Sequence, residues 1–259
     1  MSKGKVKMGR SKRKGVKKHC RRKFVVLIVI LAAICVLAFG SFRYMHDYYH
    51  AEDATAALED TDDVSVLETA SGYMYDGPGK DTALIFYPGA KVEDIAYAPL
   101  LKQLAASGID CFLVKMPCNL AIFGKDRAEN VLDEFGDDYK SWYLAGHSLG
   151  GAMAAEYASQ NADCLQGLIF LASYSTKDLS DTQLKVLSLY GSEDQVLNKD
   201  KVVQGRELMP ETYVEHEITG GNHAQFGDYG AQKGDGTATI SAEEQQQETV
   251  QQILAFIQP

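Results

Sequence analysis

The sequence predicts an α/β domain, a mainly parallel sheet with helices on both faces, preceded by one N-terminal transmembrane helix. Three observations predict it. From residue 64 onward, short runs rich in Val, Ile, Leu, Phe and Tyr alternate with stretches of helical period. Several of those runs are apolar throughout, as strands buried on both faces must be. Finally, residues 24–42 carry no charge and directly follow a basic head. With 259 residues, 46 % of them apolar, the chain can bury one sizeable core.

The net charge of -9 hides a split. Residues 1–23 hold twelve Lys or Arg and no acid, leaving 14 basic against 35 acidic side chains in the remainder. Because the basic head abuts the apolar run, it reads as a cytoplasmic topology signal, and the acidic body argues against nucleic acid as a partner. At about 1.5 Å per residue, residues 24–42 reach roughly 28 Å, the thickness of a bilayer's hydrocarbon core. The positive-inside rule then places the body outside the cytoplasm. The alternative is a secreted protein cut after a signal peptide, with Ala38-Phe39-Gly40 as the site; the length of the apolar run favours an uncleaved anchor. Phe42, Tyr44, Tyr48 and Tyr49 fit an interfacial aromatic belt. Residues 43–63, acidic and poor in large apolar side chains, read as a solvated stalk, which leaves 64–259 as the domain.

Within that domain, β-rich runs at 64–67 and 72–75 flank the turn Ser71-Gly72. Asp76-Gly77-Pro78-Gly79 is a strong turn signal before the buried strand 83–87. A helix follows with Tyr97, Leu100, Leu101 and Leu104 on one face, stopped by Gly108. The strand 111–115 leads to a helix at 127–135 with the stripe Ala128, Val131, Leu132 and Phe135. Next come the strand 142–145, an Ala-rich helix at 152–158, and strands at 167–172, 185–190 and 213–218. Val250, Ile253, Leu254 and Ile257 form the buried face of a C-terminal helix. The five cysteines contain no C-x-x-C pair, so no zinc or thioredoxin-type motif is present, and neither a metal nor an organic cofactor is predicted. Cys111 and Cys118 either pair, if the body is extracytoplasmic, or stay free thiols. No signal bears on oligomeric state.

Chemistry enters at Gly146-His147-Ser148-Leu149-Gly150. A G-x-S-x-G between a strand and a helix holds its serine on a strained turn with the hydroxyl exposed. Serine is a poor nucleophile at neutral pH, so a base must take its proton and a third group must orient that base. In parallel sheets such groups sit in loops at the carboxyl ends of strands. Two loops qualify, and they offer Asp194, with Glu193 as competitor, and His223. The spacing of Asp194 and Val196 predicts a buried valine and an inward acid. His147, beside the serine, is expected to pack or support rather than act as base. An oxyanion needs backbone N–H donors. These are expected from Leu149, at the start of the helix, and from Ala90, with Lys91 as the other option, in the loop after strand 83–87.

From about residue 82 onward the chain resembles small members of the α/β-hydrolase superfamily, of dienelactone-hydrolase-like and carboxylesterase-like type. The motifs are Tyr87-Pro88-Gly89-Ala90, Gly146-His147-Ser148-Leu149-Gly150, Tyr190-Gly191-Ser192-Glu193-Asp194 and Gly221-Asn222-His223. The resemblance implies a serine hydrolase cleaving an acyl ester of a small-molecule substrate through Ser148, His223 and Asp194. Pro88 stands where the family commonly has His, which keeps the backbone donor. Many relatives insert a lid after the sixth strand; here only residues 173–182 intervene, which implies an open site for small or water-exposed acyl groups. The same triad also fits an acyltransferase or peptidase of the cell envelope, and the fold alone fits a non-catalytic binding domain. The polar, glycine-rich segment 226–236, with Asp228, Gln232 and Asp235, receives no role.

Overall fold

A computed structural model describes residues 11–257. It separates into two units, one ending at Asp47 and one beginning at Tyr48. In the first, α1 (Ser11–His46) is one continuous helix that takes in part of the basic segment; residues 1–10 lie outside the described residues. Its stretch Lys23–Tyr44 is long and apolar enough to cross a membrane, and Phe24, Leu31 and Leu37 on it are exposed.

The second unit begins with α2 (Ala54–Leu58), β1 (Ser65–Thr69), β2 (Gly72–Asp76), β3 (Thr82–Tyr87) and α3 (Ala98–Ala106). It continues with β4 (Asp110–Val114), α4 (Arg127–Phe135), β5 (Ser141–His147), α5 (Leu149–Ala158) and β6 (Gly167–Leu171). β7 (Lys185–Gly191), α6 (Lys199–Gly205), β8 (Tyr213–Ile218) and α7 (Ala242–Ile257) complete it. The eight strands form one sheet in the order β1-β2-β4-β3-β5-β6-β7-β8. β1–β2 and β2–β4 pair antiparallel, and every later pair is parallel. The predicted sheet is therefore the observed one.

Side-chain alternation explains the uniformly apolar strands. On β3, Leu84 and Phe86 enter the core on one face, with Leu101 and Leu104 of α3 and Ile253 of α7. Ile85 and Tyr87 enter the other, with Val131 of α4 and Ala155 of α5. Cys111 and Leu113 against Phe112 and Val114 repeat the division on β4. Each such large side chain contributes about 1.5–3 kcal/mol on burial, so a strand with both faces covered needs no polar side to stay in place. The turn after β2 is fixed by the fully buried Asp110, whose carboxylate accepts Gly77 N–H at 2.8 Å and the Tyr139 hydroxyl at 2.8 Å.

Two expectations need correcting. The stretch 43–63 is not one stalk: residues 43–46 belong to α1, and from Tyr48 onward the segment is docked on the domain. Its few apolar side chains are used sparingly, with Ala57 4 % exposed in the core, and its backbone is held by hydrogen bonds that composition does not reveal. For the same reason Tyr49 is no part of a membrane belt: its ring packs on Tyr229, with centroids 5.6 Å apart. Cys111, buried in β4 with its thiol donating to Ile109 O, and Cys118, exposed in the following loop, are both free thiols.

Candidate active site

The site grows from the junction of β5 and α5. Ser148 adopts φ 52°, ψ -122°, a sparsely populated positive-φ conformation that costs a non-glycine residue about 1–3 kcal/mol. The turn is possible because its glycines let backbones touch. A Cβ on Gly146 would lie 2.5 Å from Gly150 C, and one on Gly150 would lie 2.1 Å from Tyr87 O. Ser148 N–H donates to Leu171 O at 2.9 Å, and the Ser173 hydroxyl donates to Ser148 O at 2.7 Å. Leu149 opens α5, so its N–H lies at the electropositive end of that helix.

The loop after β7 carries Asp194. Its Oδ1 accepts the N–H groups of Val196 and Leu197, both at 2.8 Å, and its Oδ2 bonds His223 Nδ1 at 2.8 Å. Both partners are buried: the Asp194 side chain is 0 % exposed and that of His223 2 %. Glu193 is engaged elsewhere, accepting from the Ser192 hydroxyl at 2.9 Å. The acid is thus aimed as expected but for a different reason. Val196 is exposed, Leu197 is the buried residue, and the two amides fix the carboxylate.

In the loop after β3, two of the candidate amides are already bonded within the protein. Gly89 N–H donates to the Tyr97 hydroxyl at 3.0 Å and Lys91 N–H to Asn119 O at 2.7 Å, while Pro88 has no N–H. Ala90 is left as the residue whose N–H is not spent within the loop's own bonding. The neighbouring Lys91 is itself left-handed, at φ 59°. Ser148, Lys91, Asn119 and Ala172 account for four of the five non-glycine residues with positive φ among those described, and all four border this region. Such concentration of strain is characteristic of functional sites.

His147 is buried, with its Nδ1 2.8 Å from the Tyr97 hydroxyl and its ring 4.5 Å from that of His223. Burial, reinforced by the neighbouring His223, holds its pKa well below the usual histidine range. Burial also pushes the Tyr97 phenol up, and its oxygen accepts Gly89 N–H while it pairs with His147 Nδ1. His147 is a neutral, supporting ring.

Ser148, Leu149 and His223 line one open cleft of about 240 Å³ with Tyr174, Val196 and Leu197. The two side chains Ser148 and His223 share it without a hydrogen bond between them, a common state of unliganded sites. Residues 172–184 contain no helix, so no helical cap is inserted between β6 and β7. Among the described residues, no group of three His, Cys, Asp or Glu is arranged to hold a metal ion.

Three supports were not foreseen. Tyr97 lies 50 residues from His147 in sequence, a contact that no local pattern announces. Gln245 of α7, fully buried, accepts Asn222 N–H and donates to Asn222 O, both at 2.9 Å, beside His223. Its signal was available: residue 245 falls four and eight positions before Thr249 and Ile253, a polar group on the buried stripe. Segment 226–236 also acquires a role, since Asp235 accepts Ala224 N–H at 2.9 Å and so folds the loop back onto the histidine turn.

Fold and site together define an α/β protein with a strained serine, and a carboxylate-held histidine, at the carboxyl edge of its parallel strands. The chain belongs to the alpha/beta hydrolase family, whose sequence profile matches residues 83–247. Among solved structures it is similar to a predicted CIB-like hydrolase from Thermoplasma acidophilum, with TM-score 0.57 and 13 % identity over 73 % of this chain and 98 % of that one. It is also similar to carboxyl esterase 2 from the mycorrhizal fungus Tuber melanosporum, with TM-score 0.57 and 12 % identity over 81 % and 90 %. A monoacylglycerol lipase from Paleococcus ferrophilus gives TM-score 0.54 and 14 % identity over 69 % and 96 %. Comparison with curated proteins finds no match.

Proposed function

We propose that the chain is a membrane-anchored serine hydrolase that cleaves small acyl esters. Ser148 Oγ attacks the acyl carbon while His223 takes its proton, and Asp194 holds the imidazole by Nδ1–H. The N–H groups of Leu149 and Ala90 receive the oxyanion. His223 then gives the proton to the leaving alcohol, and water, activated by the same imidazole, releases the acid from the acyl-enzyme. The observation that carries the reading is the buried His223–Asp194 bond facing the same cleft as the positive-φ Ser148.

The test is hydrolysis of p-nitrophenyl esters of increasing chain length. We expect an optimum at short acyl chains, in keeping with the small, open cleft, and a fall in kcat of about 10⁴-fold or more for Ser148→Ala. Equal turnover by both proteins would overturn the assignment. Residues 24–42 are proposed as the anchor, with the head cytoplasmic and the hydrolase domain outside. Cys164 is exposed on that domain. A membrane-impermeant maleimide should label it on intact cells; labelling only after lysis would reverse the orientation.

A further inference from the structure

We propose that residues 48–53 are a strap that presets the catalytic centre, with Tyr49 as its positioning residue; the proposal rests on the assignment of Ser148, His223 and Ala90 above. The segment reaches two loops and grips both. On the first, Tyr49 N–H donates to Lys91 O at 2.7 Å and Glu93 N–H donates to Tyr49 O at 2.8 Å. Ala51 N–H adds a bond to Glu93 Oε2 at 3.0 Å. On the second, Glu52 N–H donates to Asp228 O at 2.9 Å, and Lys233 N–H donates to the Tyr49 hydroxyl at 3.0 Å. The first loop carries Ala90 and the second follows His223.

The strap acts on the part of the site that most needs holding. Lys91 is a non-glycine residue at φ 59°, adjacent to the proposed donor, and a strained residue persists only where its surroundings over-determine it. Asn119 fixes its N–H and the strap fixes its carbonyl. A run of aromatic contacts leads on from Tyr49 to Tyr229, Tyr97, His147 and His223, with centroids 5.6, 6.4, 5.6 and 4.5 Å apart. The donor loop is therefore held by the backbone of Tyr49, while its half-buried side chain holds Tyr229 and Lys233 in the loop that follows the base.

The experiment compares the full chain in detergent with Tyr49→Ala and Tyr49→Phe. For Tyr49→Ala we expect kcat to fall roughly tenfold with KM within about twofold, short of the 10²–10³ for deleting an oxyanion donor outright. Amide exchange should rise at residues 89–92 and 228–233 while β5 and β7 keep their protection. Tyr49→Phe keeps the ring on Tyr229 and should recover most of the turnover, with faster exchange confined to the neighbourhood of Lys233. Unchanged turnover and exchange in folded Tyr49→Ala would overturn the proposal, as would exchange rising evenly across the sheet. Should Tyr49→Ala not fold, exchange in Tyr49→Phe decides, and protection at Lys233 equal to that of the parent chain overturns it. Exchange also separates the two readings: if the parent chain hydrolyses no ester, the catalytic assignment fails while loop protection still reports on the strap.

Discussion

Tyr97 joins the two halves of the proposed oxyanion hole through one oxygen. It receives Gly89 N–H from the donor loop and shares a hydrogen bond with His147 Nδ1 on the turn that carries Ser148. The space is full as well: a Cβ on Gly89 would lie 2.7 Å from His147 Nδ1 and 2.8 Å from the Tyr97 oxygen. In Tyr97→Phe, two buried polar groups lose their partner, at about 1–3 kcal/mol each. We expect a lower melting temperature and a kcat reduced by about tenfold with KM little changed, measured by steady-state ester hydrolysis; a parallel rise in KM would assign Tyr97 to substrate binding. At this scale the sequence was informative where chemistry is local. Ser148 sits in its own motif, and Asp194 and His223 each follow a strand. Tyr97 and Gln245 support the site through contacts distant in sequence; spacing marks Gln245 as a buried polar residue but names neither partner.

Elements were legible in proportion to their apolar periodicity. The buried strands and the helices α3, α4, α5 and α7 announce themselves by runs or stripes, because burial there is what stabilises them. α6 and the docked segment before β1 were not, since each holds few large apolar side chains and relies on hydrogen bonds instead. α6 is capped by the Asn198 side chain, which accepts Lys201 N–H at 3.1 Å. Edge strand β8 shows a further case, being secured by charge. Glu215 accepts Arg206 Nε at 2.9 Å and Arg206 Nη2 at 2.6 Å, together with the hydroxyls of Tyr190 and Tyr213. The Arg206 hydrogen bonds, foremost, hold its carboxyl at about 2. An unfolded Glu titrates near about 4.3, so the stabilisation is present above that value and is lost as pH falls from about 4.3 toward 2. Asp110, its pKa raised by burial, contributes with the opposite sign in acid and is common to both proteins compared. The difference in melting temperature between the parent chain and Glu215→Gln should therefore shrink across that window. A constant difference would mean that the pair contributes no pH-linked stability.

For the whole molecule, the division into an apolar helix and an acidic α/β unit was written in charge and composition, but the place of the boundary was not. Composition put the domain at residue 64, whereas docking puts it at Tyr48, because an acidic segment can be bound through its backbone as firmly as an apolar one through its side chains. Family membership fixes the scaffold, and the scaffold brings Ser148, Asp194 and His223 to one edge of the sheet. The central claim is that Ser148 is the residue activated there. Peptide mapping of the full chain after reaction with a fluorophosphonate tests it most directly. The account predicts one adduct, on Ser148, formed far more slowly in Asp194→Asn and at the parent rate in Glu193→Gln. An adduct on another residue, or no adduct on folded protein, would contradict it.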